Sequence, residues 1–174
     1  NIPAFRLPVE VLDDEVDQII NMGIETRFNS EITSMESLLE EDFDAIFVGT
    51  GAPKGKDLSI EGRQEAENNI HIGIDWLTSI AFEHTDSIGK KVLVLGGGNT
   101  AMDCCRSSLR LGAEDVKVVV RSPFDQMKAS EWEIEEAMEE HIPIFENHVP
   151  KKFLLNEGKL VGMEFEKVEA VFDE

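Results

Sequence analysis

The 174-residue chain sets 36 Asp+Glu against 16 Lys+Arg, a formal charge of −20 at pH 7. That balance excludes nucleic acid as a partner, because a phosphate backbone needs a basic stripe to lie on, and it reads as a solvated, self-repelling surface. Hydrophobic residues make up 41%, enough for an ordinary core and against wholesale disorder, while no apolar run approaches the roughly 20 residues of a membrane span.

The first residues, Asn1-Ile2-Pro3-Ala4-Phe5-Arg6, lack the apolar stretch of a secretory signal, and the absence of an initiator Met suggests a piece of something longer. From Pro8 to Met22, Val9, Leu12, Val16, Ile19 and Ile20 recur at helical spacing among acids, and Gly23 stops the pattern. Ile24–Phe28 is expected to be a short strand and Ser34–Glu40 a short helix carrying Met35, Leu38 and Leu39. Asp44–Val48 is expected to be a buried strand opening into Gly49-Thr50-Gly51-Ala52-Pro53. From there to about Asn69 the chain is rich in Gly, Lys and Glu without apolar periodicity, a connector. His71–Phe82 has the apolar stripe of a helix.

Val92–Leu95 is an unbroken apolar run of the kind found in parallel strands buried on both faces. Gly96-Gly97-Gly98 follows, then a helix over Asn99–Leu111 closed by Gly112, and Val116–Val120 as a second buried strand. Ser130–Glu140 is a Glu-rich helix leading to Ile142-Pro143-Ile144-Phe145. Phe153–Leu155 and Leu160–Phe165, turning at Gly158, predict a β-hairpin. Strands alternating with helices make the class α/β, with mostly parallel sheet.

Cys104 and Cys105 are the only cysteines. On a helix, adjacent side chains diverge by about 100°, so no ordinary disulfide joins them. They also lack the C-x-x-C spacing of a redox pair, and we read them as small packing residues. With neither a cysteine framework nor a secretory signal, the cytoplasm is the default location.

Gly96-Gly97-Gly98-Asn99-Thr100-Ala101 fits G-x-G-x-x-A. The first glycine permits a tight turn after the strand, the second lets backbone approach a pyrophosphate, and the small sixth residue lets helix and strand pack closely. The helix from Asn99 then directs free N–H groups and its positive dipole end toward the phosphates. A lone hexapeptide is weak, but here it follows a buried strand, opens a helix and leads to a second buried strand. Cofactor choice is read at the end of that second strand, where an acid binds the ribose hydroxyls of NAD and an arginine accommodates the 2′-phosphate of NADP. Arg121 stands there, 25 positions after Gly96, and its guanidinium matches a phosphate in fork geometry. NADPH is therefore favoured, with Ser122 as an additional hydroxyl. NADH remains an alternative, as does a non-catalytic module that senses or docks a nucleotide.

Taken in order, Pro3–Pro8, Phe43–Pro53, His71–Leu77, Gly96–Arg106 and Glu133–Ala137 resemble the small (beta) subunit of NADPH-dependent glutamate synthase and its flavoprotein relatives. These include the flavin/NADPH part of dihydropyrimidine dehydrogenase and the large subunit of ferredoxin:NADP transhydrogenase. The resemblance spans nearly the whole chain. It implies two nested dinucleotide-binding domains, one for FAD and one, inserted, for NADPH. Hydride passes from nicotinamide C4 to flavin N5, and the flavin feeds iron–sulfur clusters, so the cofactors carry the chemistry and no general acid or base is demanded.

On that mapping residues 1–53 are a partial FAD-domain segment, 54–70 a connector and 71–174 a Rossmann-like NADPH-binding domain. Thr50 and Gly51 would mark the junction where the flavin domain hands over. Gly96, Gly97, Gly98, Asn99, Thr100 and Ala101 would hold the pyrophosphate, and Arg121 with Ser122 the 2′-phosphate end. Two departures stand out: Ser122 occupies the place of a frequent second arginine, and Lys128 a frequent proline. The family's FAD loop, its Cys-rich cluster segment and its later Gly-Asp segment are missing from this sequence. The resemblance thus implies an excised middle that neither holds FAD tightly nor turns over. Its expected partners are the remaining FAD domain and iron–sulfur segment of the parent, and a larger catalytic subunit.

Overall fold

Pro8, with φ −57° and ψ 142°, is the N-cap of the first helix, α1 (Val9–Ile20), a place where a missing N–H costs no helical hydrogen bond. Glu10 lies in the first turn, where the helix dipole favours an acid. A short second helix, α2 (Met35–Leu39), begins where the Ser34 hydroxyl accepts the Ser37 N–H at 3.4 Å. The computed structural model describes residues 2–51 and 54–169. Contacts divide the chain into two units, Ala4–Pro53 and Lys54–Glu174, the latter joined by Asn1–Pro3.

In the first unit the two expected strands do not form: Ile24–Phe28 and Asp44–Val48 are irregular, and Phe47 is 95% exposed. A helix satisfies its own backbone, whereas a strand needs a neighbour to accept its N–H groups. The described part of this unit offers none. Both helices form with no buried residue.

The second unit contains α3 (Gly73–Ala81), β1 (Lys91–Leu95), α4 (Asn99–Arg110), β2 (Asp115–Val119), α5 (Glu131–Glu139) and β3 (Ile144–Phe145). The three strands form one parallel sheet in the order β1-β2-β3, with Leu95 opposite Val119 and Val118 opposite Ile144. A long hairpin follows, β4 (His148–Asn156) against β5 (Lys159–Lys167), turning at Glu157-Gly158. The fold is therefore α/β and Rossmann-like, as the alternation of patterns predicts.

The main core lies between the sheet and α4 and α5, around Met102, Cys105, Val118 and Ala137, all fully buried. Trp76 and Leu77 of α3 make a second cluster with Cys104 of α4. The expectation that β1 is buried on both faces is not met. Val92 and Val94 pack on the core, whereas Leu93 is 42% exposed on the opposite face. Strand β1 lies at the sheet edge, and the helices packed on it cover only the Val92/Val94 side.

Helix α4 ends where Gly112, at φ +91°, takes the left-handed conformation that a Cβ disfavours. Gly112 N–H donates to Leu109 O and Ala113 N–H to Ser108 O, both at 3.0 Å, the two bonds of a Schellman motif. A buried charge network ties α4 to α5. Arg106 donates to Glu140 at 2.9 Å and to Glu133 at 3.4 Å, and also pairs with Glu136. The segment 54–70 has only a three-residue 3₁₀ turn, Glu67–Asn69, yet it is anchored. Arg63 binds Asp57 through two bonds of 2.8 Å, Ala66 is buried, and Phe153 N–H of the hairpin donates to Glu61 O.

Candidate dinucleotide-binding site

The carboxyl ends of parallel strands are where open α/β sheets take ligands, and the glycine loop sits at that end of β1. Gly96 N–H donates to Val119 O at 3.0 Å, closing the turn against β2, and its φ of +135° is one that only glycine adopts readily. A Cβ on Gly96 would meet the Ala101 Cβ at 3.7 Å, which shows how closely the first turn of α4 approaches the strand end. Gly97 has no room for a side chain: an added Cβ would lie 2.7 Å from Val120 Cγ1 and 3.3 Å from Met127 Cγ. Its carbonyl accepts two N–H bonds, from Lys128 and Ala129, both at 2.9 Å.

Gly98 is different. It is the N-cap of α4, with φ −104° and ψ 173°, and a Cβ built on it meets nothing within 4 Å. Its carbonyl accepts Ala101 N–H at 2.9 Å and Met102 N–H at 3.3 Å, but it has no side chain to cap the helix. The amides of Asn99 and Thr100 find no acceptor among the described residues. Open space therefore lies over free N–H groups at the positive end of a 12-residue helix. Open space over the amides of a helix N-terminus is an arrangement that favours an anion.

Arg121 follows β2, two residues past Val119, at the same sheet end as Gly96. It is exposed and makes no ion pair with the described residues. Ser122 beside it is half-buried, its carbonyl accepting Asn147 N–H. The fold thus brings Gly96–Ala101 together with Arg121 and Ser122 at one end of the sheet. Thr50 and Gly51 belong to the other unit, in an exposed irregular stretch, and Ala52 and Pro53 lie outside the described residues.

The geometry adds a role that spacing does not reveal. The Asn99 side chain is turned to Ser130, the residue before α5: its Oδ1 accepts Ser130 N–H at 2.7 Å and its Nδ2 donates to Ser130 Oγ at 3.3 Å. Ser130 is the N-cap residue of α5, and its side chain makes no cap bond. Glu146, beyond β3, accepts Phe124 N–H at 2.6 Å and shapes the same connecting segment. Partners separated by 31 and 22 positions leave no local signal.

Both thiols are buried, and burial pushes each up to about 12. A helix start lowers a thiol pKa only where water or a cation can reach the thiolate. The Cys104 Sγ instead faces Gly73 O at 3.7 Å. A thiol reagent such as a disulfide chromophore is expected to label neither cysteine in the native chain at mildly alkaline pH, and both after unfolding in urea. Fast labelling of the folded protein would contradict the burial. Among the described residues no cluster of His, Cys, Asp and Glu could hold a metal ion, and no helix is long and apolar enough to cross a membrane.

Comparison with known proteins identifies the family. A family model described as pyridine nucleotide-disulphide oxidoreductase matches residues 9–171. The beta subunit of NADPH-Fe(3+) oxidoreductase from Geobacter sulfurreducens is 35% identical over 163 residues, covering 92% of this chain and 24% of that protein. The small chain of glutamate synthase [NADPH] from Escherichia coli is 32% identical over 183 aligned positions, covering 97% of this chain and 38% of that protein. The resemblance carried by the motifs is thus borne out, and the chain spans about a quarter to two-fifths of these relatives' length. Among solved structures, thioredoxin reductase from Lactococcus lactis superposes with a TM-score of 0.54 at 21% identity, covering 67% of this chain and 36% of that one, a likeness of fold.

Proposed function

The chain belongs to the pyridine nucleotide-disulphide oxidoreductase family, and from that premise we propose that residues 71–174 form the NADPH-binding part of a flavin-dependent oxidoreductase. The observation that carries this reading is the empty space over Gly98, bounded by the free amides of α4 at the carboxyl end of β1. Two anionic phosphates would replace water there, held by backbone N–H groups and the helix dipole. Gly96, Gly97, Gly98, Asn99, Thr100 and Ala101 would cradle the pyrophosphate through backbone, and Arg121 would bind the 2′-phosphate, with Ser122 beside it. The names of these two relatives specify NADPH and support the same nucleotide.

The chemistry such a nucleotide brings is hydride donation, here to an FAD held by a longer parent. The chain's own task is to bind and orient, and no proton transfer is assigned to any of its residues. On this reading Ala4–Pro53 is a segment of the FAD-binding domain, Thr50 and Gly51 mark the passage between domains, and electrons continue to iron–sulfur centres and a larger subunit. The chain alone would bind nucleotide without turning over.

Calorimetric titration tests the reading: NADPH should bind in the micromolar range and NADH more weakly. Arg121→Ala should weaken NADPH about tenfold or more, because a charged bidentate contact contributes about 1.5–3 kcal/mol, and should move NADH little. Equal affinity of the unaltered chain for both nucleotides would remove Arg121 from the phosphate site. It would favour NADH, for which the half-buried Ser122, in place of a second cation, is the specific support.

A further inference from the structure

The segment from Arg121 to Ser130 leaves the sheet beside the glycine loop and returns to it. At its start, β2 is fastened to the loop by Gly96 N–H to Val119 O. Near its end, Lys128 N–H and Ala129 N–H both donate to Gly97 O, and Ser130 is gripped by the Asn99 side chain through two bonds. Lys128 is consequently held by its backbone against the middle glycine. Its side chain is exposed and pairs with no acid among the described residues, in a chain of net charge −20. Neither main-chain bond to Gly97 depends on a side chain, so near Lys128 the replaceable fastening is Asn99–Ser130, while the Glu146 side chain holds the far part of the segment at Phe124 N–H.

Resting on the nucleotide-binding reading above, we propose that Lys128 is a second phosphate-contacting cation of this site, and that Asn99 is its positioning residue. A single cation at the strand end leaves a dianionic 2′-phosphate only partly neutralised. A lysine carried on a segment fastened to Gly97 supplies the second charge without a second arginine at position 122. Asn99 serves the site twice: its backbone amide faces the phosphate cradle while its side chain latches the segment that bears Lys128. The latch also explains why the first residue of α4 is an amide side chain that accepts and donates at once, which matches a serine N–H and Oγ together.

The test is titration of the full chain with NADPH and with NADH at low salt, for Lys128→Gln, Lys128→Arg, Asn99→Ala and the Asn99→Ala/Lys128→Gln pair. Lys128→Gln should weaken NADPH roughly fivefold to tenfold and lower the NADPH-to-NADH preference by a similar factor, while Lys128→Arg retains it. Asn99→Ala should lower the preference as well, and the double variant should lose no more than the worse single one, since both act through one contact. Asn99→Asp still accepts Ser130 N–H, so it should keep the preference although its charge weakens both nucleotides. It also decides the positioning role if Asn99→Ala melts at assay temperature. An unchanged preference in Lys128→Gln overturns the proposal, as does an additive double variant. Failure of the unaltered chain to bind NADPH would instead sink the underlying functional reading.

Discussion

Arg106→Ala is expected to cost about 3–5 kcal/mol of folding stability, measured by urea titration at neutral pH. The Arg106 side chain is only 8% exposed and serves Glu133 and Glu136 of α5 and Glu140 at its C-cap, so one side chain neutralises three acids. Glu133 is itself 3% exposed. Removing the arginine takes away the cation that Glu133, Glu136 and Glu140 share at the α4–α5 interface, and breaking a buried pair is far costlier than losing a surface one. A domain of this size commonly has about 5–15 kcal/mol in total, so the variant should be marginal at best. Lysine is a poor replacement, because an ammonium on a flexible stem lacks the planar fork that reaches several carboxylates at once.

The pH dependence follows with its sign. The Glu140 carboxyl is held below its ordinary range, first by the Arg110 hydrogen bond, against the opposing effect of burial, and then by Arg106. A folded-state value below the unfolded one means the group stabilises the fold above the ordinary carboxylate range. That stability is lost as pH falls through the depressed value. The unaltered chain should therefore weaken on acidification. The deficit of Arg106→Ala should narrow over the same range, since a protonated Glu140 no longer draws on Arg106. A deficit that stays below about 1 kcal/mol at neutral pH would mean that the network is no more than a surface arrangement.

What is legible in the sequence follows from the range of the forces involved. The β1–α4–β2 unit is written locally: an apolar run, three glycines, a helical stripe closed by Gly112 and a second apolar run, each element signalled within a few residues. Asp44–Val48 carries an equally strong apolar pattern, yet forms no strand, because a strand exists only with a partner. Leu93 and Leu95 fail for the related reason that burial of a sheet face depends on what is laid over it. Spacing locates the glycine loop and Arg121 and assigns Asn99 to the phosphates. It does not reveal that the Asn99 side chain reaches Ser130, 31 positions away, a pairing that no local pattern encodes. The Glu-rich sequence of α5 likewise gives no sign that Glu133 is buried against Arg106.

Gly98→Val should abolish measurable NADPH binding, weakening it about a hundredfold or more, while leaving the fold almost intact. The backbone at Gly98 is extended, with φ −104° and ψ 173°, a conformation open to any residue, and its Cβ would enter free space. The stability cost is then limited to exchanging a tolerated N-cap residue for a poor one, about 1 kcal/mol or less. The same branched side chain would stand over the free amides of α4, and losing two charge-assisted hydrogen bonds of about 1.5–3 kcal/mol each accounts for the hundredfold. Its neighbour should behave in the opposite way. A methyl on Gly97 would press Val120 Cγ1 at 2.7 Å and Met127 Cγ at 3.3 Å, an overpacking that typically costs about 1–3 kcal/mol. Gly97→Ala should thus lose thermal stability first, and binding only as the glycine loop and the Lys128 segment are pushed apart. Two adjacent glycines with separable defects, one in ligand binding and one in packing, would establish that the loop is built around an occupant. If Gly98→Val binds NADPH as well as the unaltered chain does, the space over α4 is not the phosphate site, whatever the loop's spacing suggests.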